Sequence, residues 1–142
     1  MLRDAHGRLL LQQRAAVKTR FPLRWANSCC GHPAPGADLA TAAAVRLREE
    51  LGIAGVTLVP VGAFTYQATD PRTGRVEYEY DHVLIGETGT GVRPDPDPAE
   101  VADMRWQHLD DLVAAVTAEP DNYAPWLSGV VGVLDSRPEP RP

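Results

Sequence analysis

The chain has 142 residues, of which 44% are hydrophobic and 23% charged, and its formal net charge is −5. This length and composition are typical of a single globular domain with its own hydrophobic core. The acidic balance argues against nucleic-acid binding by bulk electrostatic attraction. Because no apolar run approaches the roughly 20 residues that span a bilayer, we expect no association with a membrane.

The two cysteines, Cys29 and Cys30, indicate the compartment because they are adjacent. A disulfide between neighbouring residues is strained and no third cysteine is available, so we expect free thiols and a reducing environment. The first residues, Met1–His6, show no signal-peptide pattern. We therefore predict a cytoplasmic protein, and we expect it to be a monomer.

The first elements along the chain are two predicted strands separated by a basic loop. A short apolar run over residues 7–13 follows a turn-forming segment and predicts a strand. Residues 15–24 are polar and basic, and residues 25–30 have the composition of a second strand. The local excess of arginine and lysine over residues 3–24 could hold a small anion such as a diphosphate, although each residue alone could equally be solvated.

A helix follows these strands and precedes a second series of elements. Apolar spacing predicts the helix over residues 38–51, with Asp38 as its N-cap and Gly52 as its C-cap. The later predicted elements are a strand over 56–67, a turn over 70–74, a strand over 75–85, a loop over 86–98, a strand over 101–107, and helices over 108–116 and 124–134. This order predicts a mixed α+β sandwich over residues 1–134, followed by a disordered, proline-rich tail over 135–142.

Cys30 and His32 are the first candidate functional residues, since positions two apart on an extended segment face the same side. A cysteine in a strand is more often a small buried hydrophobic residue than a catalyst. Three features favour a chemical role for Cys30: the neighbouring His32, the backbone access that Gly31 permits, and the N-terminus of the following helix, which lowers a thiol pKa.

Glu77 and Glu79 form a second candidate pair, because they project from one face of a predicted strand while Tyr78 and Tyr80 project from the other. Two carboxylates on one face repel each other unless water, a cation or a shared proton intervenes. With His32, they make a donor set that suits Zn²⁺, Mn²⁺ or Mg²⁺. The plainer alternative is a solvent-facing edge strand carrying paired acids.

The predicted helix carries Arg46, Glu49 and Glu50 within one turn. The plainer interpretation is a surface ion pair between residues four apart. The more specific one is that two neighbouring acids hold Mg²⁺ beside a diphosphate through oxygen ligands. Trp126 likewise suits either a core position or an electron-rich face toward a cationic species.

At these residues the sequence closely resembles the type 1 isopentenyl-diphosphate delta-isomerases, a branch of the Nudix fold. The resemblance runs from about Asp4 to Leu134. Its motifs are Arg14–Lys18, Trp25–Pro33, Arg46–Gly52, Tyr66–Pro71, Val76–Glu79 and Pro125–Trp126. The resemblance implies an α/β/α sandwich with a mixed sheet, lacking the N-terminal segment of the family.

The general Nudix motif is degenerate here. Its pattern is G-x5-E-x7-R-E-U-x-E-E-x-G-U, in which U is apolar. The chain carries Ala37 where the first glutamate would stand, and Val45-Arg46 where the pattern has Arg-Glu. A hydrolase uses those acids to gather metal around a diphosphate bond, whereas Arg46 adds a positive charge that suits holding the diphosphate.

The resemblance implies the reversible conversion of isopentenyl diphosphate to dimethylallyl diphosphate through a tertiary carbocation, in isoprenoid biosynthesis. Acid–base groups must flank the hydrocarbon, and Cys30 and Glu79 would be that pair, with Tyr66 orienting Glu79 and Trp126 stabilising the cation. The resemblance also implies which residues bind the diphosphate and the metals. The diphosphate would be bound by Arg14, Lys18 and Arg46, and its Mg²⁺ by Glu50. A second divalent metal (Mn²⁺, Zn²⁺ or Mg²⁺) would be bound by His32, Glu77 and Glu79.

One departure from the pattern of the family leaves alternative functions open. The family's metal site also uses two histidines from a segment before the first hairpin, which this sequence does not contain. Either the true start lies upstream, which we favour, or the chain is a shortened paralogue that binds prenyl diphosphates without catalysis. A Nudix-type diphosphate hydrolase is a further alternative, although the missing acids of the motif count against it.

Overall fold

The computed structural model describes residues 1–137, in which a six-stranded mixed sheet lies between helices on both faces. The strands are β1 (Leu2–Arg3), β2 (Leu9–Arg14), β3 (Trp25–Ala26), β4 (Leu58–Thr69), β5 (Val76–Glu87) and β6 (Val101–Gln107). The helices are α1 (Leu39–Leu51), α2 (Leu109–Ala118) and α3 (Leu127–Asp135), with a short 3-10 turn at Pro120–Asn122. This arrangement confirms the predicted α/β/α sandwich with a mixed sheet.

The sheet has the strand order β3-β2-β1-β5-β4, and β6 pairs with β2. Only β1 and β5 run parallel, and the other pairs are antiparallel. The long hairpin of β4 and β5 places Tyr66 opposite Glu79 and Phe64 opposite Asp81. Because alternate side chains of a strand share a face, this register aligns an aromatic row with an acidic row.

Helix α1 has the two caps that its sequence predicts. The side chain of Asp38 accepts a hydrogen bond from the Thr41 amide at 2.8 Å. Gly52 takes a left-handed conformation at φ 63°, which glycine adopts without the penalty that a β-carbon imposes. These caps satisfy backbone groups that would otherwise lack partners at the helix ends.

Two hydrophobic cores lie on opposite faces of the sheet. One core joins α2 and α3 to the sheet through fully buried Leu112 and Leu127. The other joins α1 to the sheet through Leu47 and Leu51. Gly129 of α3 lies directly over Phe64, since a β-carbon at Gly129 would come within 2.3 Å of its ring. This close approach seats α3 on β4, beside the candidate site.

The predicted strand over residues 25–30 is wrong in its extent, because β3 ends at Ala26. The reason is hydrogen bonding by the side chains of the two residues that follow Ala26. Asn27 donates from Nδ2 to the carbonyl of Cys29 at 2.8 Å, and the Ser28 hydroxyl donates to the carbonyl of Leu10 at 2.7 Å. These side chains compete with a strand ladder for the backbone. Cys30 and His32 therefore lie on an irregular loop.

The strand predicted over residues 101–107 has the predicted ends, and the other predicted helices and strands are present with shifted ends. Two short elements were not predicted: β1 and the 3-10 turn. Helix α3 continues to Asp135, the first residue assigned to the tail, and residues 138–142 of that predicted tail lie outside the described residues. Across residues 1–137, no helix has both the length and the apolar character that a membrane crossing needs.

Candidate active site

A cavity of about 1100 Å³ opens between α1, the β4–β5 hairpin, the start of α3 and the loop after β3. All the candidate site residues of the sequence analysis line it: Arg14, Lys18, Cys30, His32, Arg46, Glu50, Tyr66, Glu77, Glu79 and Trp126. Its wall also includes apolar side chains such as Leu39, Phe64 and Val130. The cavity thus combines a charged region with a hydrocarbon-compatible one.

Cys30 is exposed to the cavity, while protein atoms surround its thiol on the other sides. Its Sγ donates a hydrogen bond to Asn27 Oδ1 at 3.1 Å. Burial raises the pKa of the thiol to about 11, so Cys30 holds its proton at neutral pH. The neighbouring Cys29 is also a free thiol, as predicted, but it packs against the core beneath α1.

Glu79, on β5, lines the same cavity as this thiol, and His32 contacts its carboxylate. His32 Nε2 is 2.8 Å from Glu79 Oε1. Burial alone would raise the pKa of Glu79, but its hydrogen bonds with His32 and Tyr66 and the charge of His32 contribute to lowering it overall. Glu79 is therefore ionised at neutral pH and can accept a proton.

Glu77 shares the inward face of β5 and is almost fully buried. Arg20 Nη1 donates to its Oε1 at 2.6 Å. The Tyr66 hydroxyl lies 3.4 Å from Glu77 Oε2 and 3.3 Å from Glu79 Oε2. Burial, together with these carboxylates, raises the pKa of Tyr66 well above its ordinary range, so its hydroxyl remains a donor.

Asp81 is a cavity residue that the sequence analysis did not single out. It follows Glu79 by two positions on β5, so the same strand alternation that identified Glu77 and Glu79 could have found it. Burial, followed by the charge of Glu79, raises the pKa of its carboxyl to about 6. Arg20 was also missed, since its partner Glu77 lies 57 residues away in sequence.

The predicted diphosphate ligands Arg46 and Lys18 come together at the α1 side of the cavity. Arg46 pairs with Glu50 and, at 2.7 Å, with Glu49, and its Nη2 lies 3.9 Å from Glu100. Lys18 Nζ contacts the other oxygen of Glu100 at 2.5 Å. The two cations thus converge on one carboxylate, as they would on another anionic group.

Glu50 is buried beneath these cations, with 5% of its surface exposed. Gln12 Nε2 donates to its Oε2 at 2.9 Å, and Arg46 pairs with its Oε1. Burial nevertheless raises the pKa of Glu50, because desolvation exceeds the stabilisation that these partners give its charge.

Arg14 and Trp126 lie next to each other in the lining of the cavity. The Arg14 guanidinium donates to the carbonyls of Arg20 and Phe21 and lies 5.0 Å from the centroid of the Trp126 ring. The indole is buried, and its Nε1 donates to Asn27 Oδ1 at 3.0 Å. A tryptophan face that already attracts one cation has the electrostatic character to stabilise another.

The donor types at the site suit a divalent cation, since an imidazole and several carboxylates face the cavity. However, within residues 1–137 no three histidine, cysteine, aspartate or glutamate side chains converge as a metal-binding cluster. His32 and Glu79 are in contact, but Glu77 is held by Arg20, and Glu50 is held separately by Gln12. The predicted metal ligands are therefore close to the cavity without forming a closed site.

The family model described as NUDIX domain matches residues 1–127. Solved structures with the same fold include a protein of Deinococcus radiodurans, with a TM-score of 0.70, 22% identity and coverage of 92% of this chain and 76% of that one. The MutT protein of Methanosarcina mazei gives a TM-score of 0.68 at 16% identity, covering 95% of this chain and 88% of that one. The fold is thus that of the Nudix class.

Comparison with relatives in sequence shows which family of the Nudix class the chain resembles. An isopentenyl-diphosphate Delta-isomerase of Nocardia farcinica is 58% identical over 136 residues, covering 96% of this chain and 76% of the relative. The proteins of the same name in Rhodobacter capsulatus and Halorhodospira halophila are each 45% identical, covering 85% and 90% of this chain and 68% and 72% of the relatives. The chain therefore belongs to the isopentenyl-diphosphate Delta-isomerase family within the Nudix superfamily, which confirms the resemblance found in its motifs.

Proposed function

We propose that this chain interconverts isopentenyl diphosphate and dimethylallyl diphosphate in the cytoplasm, as a monomer. The observation that supports this function most directly is a pair of acid–base groups in opposite protonation states lining one cavity. The Cys30 thiol holds its proton and the Glu79 carboxylate is ionised. A 1,3-allylic shift needs one group that adds a proton and another that removes one.

In the direction that forms dimethylallyl diphosphate, Cys30 donates its proton to the terminal methylene of the alkene. The resulting positive charge lies on the tertiary carbon, and Glu79 then removes a proton from the carbon on its other side to form the new double bond. In the reverse direction the two groups exchange roles. Tyr66 supports Glu79 by donating a hydrogen bond to its carboxylate.

Trp126 is proposed to stabilise the cationic intermediate through its ring face. The ring is buried in the wall of the cavity and lies 6.1 Å, centroid to centroid, from Tyr66. Aromatic and aliphatic walls also exclude water, which would otherwise capture a carbocation. The five-carbon tail is therefore proposed to lie against the apolar side chains of the cavity, beside Trp126 and Tyr66.

Arg14, Lys18 and Arg46 are proposed to bind the diphosphate. Lys18 and Arg46 already share the carboxylate of Glu100, and a diphosphate would take over contacts of that kind. Glu50 would hold a Mg²⁺ bound with the diphosphate. His32, Glu77 and Glu79 would hold a second divalent cation, Mn²⁺, Zn²⁺ or Mg²⁺, which would supply positive charge that adjusts the protonation of Glu79.

One assay tests the proposal against a diphosphate hydrolase and against a protein that only binds prenyl diphosphates. The purified chain is incubated with isopentenyl diphosphate and Mg²⁺, and the products are separated. We expect the acid-labile allylic diphosphate. Release of phosphate would instead support hydrolysis, and binding without either product would support the non-catalytic alternative.

A further inference from the structure

The side chain of Asn27 joins the proposed proton donor to the aromatic ring that is proposed to stabilise the cation. Its Oδ1 accepts hydrogen bonds from Cys30 Sγ at 3.1 Å and from Trp126 Nε1 at 3.0 Å. Asn27 itself is buried, with 7% of its surface exposed. We propose that Asn27 is a positioning residue, which sets the thiol of Cys30 and the indole of Trp126 relative to each other; this inference rests on the proposed function.

The orientation of the Asn27 amide is determined by three contacts. Its Nδ2 donates to the carbonyl of Cys29 at 2.8 Å, which directs Oδ1 toward the two donors. A flipped amide would turn its own N–H groups toward Cys30 and Trp126, and both contacts would be lost. Because a carbonyl oxygen has two lone pairs, one Oδ1 can satisfy the thiol and the indole together.

This link matters because Asn27 joins the two side chains directly, whereas the nearby backbone hydrogen bond from the Ala124 amide to the Trp25 carbonyl, at 2.8 Å, joins only the chain segments that precede them. Cys30 lies on the irregular loop after β3, so no strand ladder fixes its position. Trp126 immediately precedes α3, 99 residues beyond Asn27 in sequence. A shift of about 1 Å between a proton donor and its target reduces catalysis steeply, by about two orders of magnitude. Asn27 prevents such a shift.

The test compares Asn27→Leu, which removes both acceptor contacts, with Asn27→Asp, which keeps an acceptor oxygen toward Cys30 and Trp126 and loses only the Nδ2 donor to the Cys29 carbonyl. Asn27→Leu is expected to lower kcat by about a hundredfold while KM changes little, because the diphosphate ligands are untouched. Asn27→Asp is expected to recover at least about a tenth of the wild-type kcat. If Asn27→Leu does not fold, as judged by circular dichroism, Asn27→Ala takes its place.

A readout independent of activity separates this inference from the proposed function. The indole N–H resonance of Trp126, assigned with Trp126→Phe, reports its hydrogen bond in the free protein. We expect Asn27→Leu to shift this resonance and to speed exchange of its proton, and Asn27→Asp to restore both. The rate at which iodoacetamide labels Cys30, measured in a Cys29→Ala background, should likewise change in Asn27→Leu and be restored in Asn27→Asp.

Ser28→Ala is the matched control, because Ser28 is a buried neighbour whose hydroxyl bonds the backbone of Leu2 and Leu10 and the Met1 sulfur, and touches neither Cys30 nor Trp126. It should lower stability yet leave the Trp126 resonance and the Cys30 labelling rate unchanged. A wild-type kcat and resonance in Asn27→Leu would overturn the proposal, as would equal changes in Ser28→Ala. If the wild-type chain shows no isomerase activity, the proposed function fails while the resonance and labelling data still decide whether Asn27 joins the two groups.

Discussion

The imidazole of His32 and the carboxylate of Glu79 are 2.8 Å apart, although 47 residues separate them in the chain. His32 lies on the loop that carries Cys30, and Glu79 lies in the middle of β5. Their contact brings the loop over the cavity, so that the thiol and the carboxylate line the same space. The acid–base pair therefore depends on a loop-to-strand contact as well as on the two groups themselves.

Replacing Cys30 or Glu79, the proposed acid–base pair, should abolish most of the turnover of isopentenyl diphosphate. Cys30→Ala removes the proton donor and Glu79→Gln removes the acceptor, so we expect each to lower kcat for isopentenyl diphosphate by about three orders of magnitude. The measurement is the rate of allylic product formation at saturating substrate, with circular dichroism to check the fold.

Two matched variants serve as controls for this pair. Cys29→Ala removes the adjacent thiol, which packs against the core beneath α1. Glu87→Gln changes an exposed acid at the end of the same strand as Glu79. Both should keep turnover within about threefold of wild type. Near-normal turnover in Cys30→Ala or Glu79→Gln would contradict the roles assigned to them.

Much of the fold could be predicted because its signals are local. The caps of α1 follow from the chemistry of Asp38 and Gly52 at the two ends of one helix. The inward face of β5 follows from strict alternation, with Glu77 buried and Tyr78 exposed at 72%. Such patterns need no knowledge of the rest of the chain.

The remaining features depend on contacts between distant residues, which spacing does not reveal. β3 ends early because Ser28 bonds to Leu2 and Leu10, in strands that precede it. Arg20 pairs with Glu77 only because the loop before β3 folds against the β4–β5 hairpin. Asn27 lies within the predicted strand that carries Cys30, but its partner Trp126 comes from near the other end of the chain.

Two glycines of helix α3 allow a test of how closely this helix packs against β4, beside the candidate site. Gly129→Ala would place a β-carbon within 2.3 Å of the Phe64 ring, and we expect a loss of about 1–3 kcal/mol from the free energy of unfolding. Gly132→Ala is the control, since no heavy atom lies within 4 Å of its β-carbon position. It should instead stabilise the helix by about 0.5–1 kcal/mol. Urea unfolding measures both, and equal effects would contradict the predicted packing.

Asp70 should give the protein a stability that depends on pH. Its carboxylate accepts hydrogen bonds from the amides of Phe21 at 2.9 Å and Arg72 at 2.8 Å, and the Phe21 bond is the main reason that its pKa is lowered. A carboxyl whose folded pKa is depressed contributes stability above its unfolded pKa, and that stability is lost as the pH falls through the folded pKa.

We therefore expect Asp70→Asn to be less stable than wild type at pH 7, because an amide cannot accept with both of its polar atoms. The difference should shrink as the pH falls below about 4, the ordinary range of an aspartate. Asp110→Asn, at an exposed position in the first turn of α2, is the control. Urea unfolding at several pH values measures the difference, and a gap that stays constant with pH would contradict the prediction.

Arg46 should support both stability and substrate binding, because it compensates the buried charge of Glu50 and faces the cavity. Arg46→Leu leaves Glu50 with Gln12 as its remaining partner, so we expect a loss of about 1–3 kcal/mol in unfolding free energy. Arg48→Leu, an exposed change on the same helix, should lie within about 0.5 kcal/mol of wild type.

The double variant Arg46→Leu with Glu50→Gln distinguishes the contribution of Arg46 to stability from its contribution to substrate binding. Neutralising Glu50 removes the uncompensated buried charge, so the double variant should regain part of the stability that Arg46→Leu loses, as double-mutant cycles measure. Substrate binding should not recover, because the positive charge that faces the diphosphate is still absent. KM for isopentenyl diphosphate should therefore stay raised by about tenfold or more. Recovery of KM together with stability would mean that Arg46 acts only through the fold.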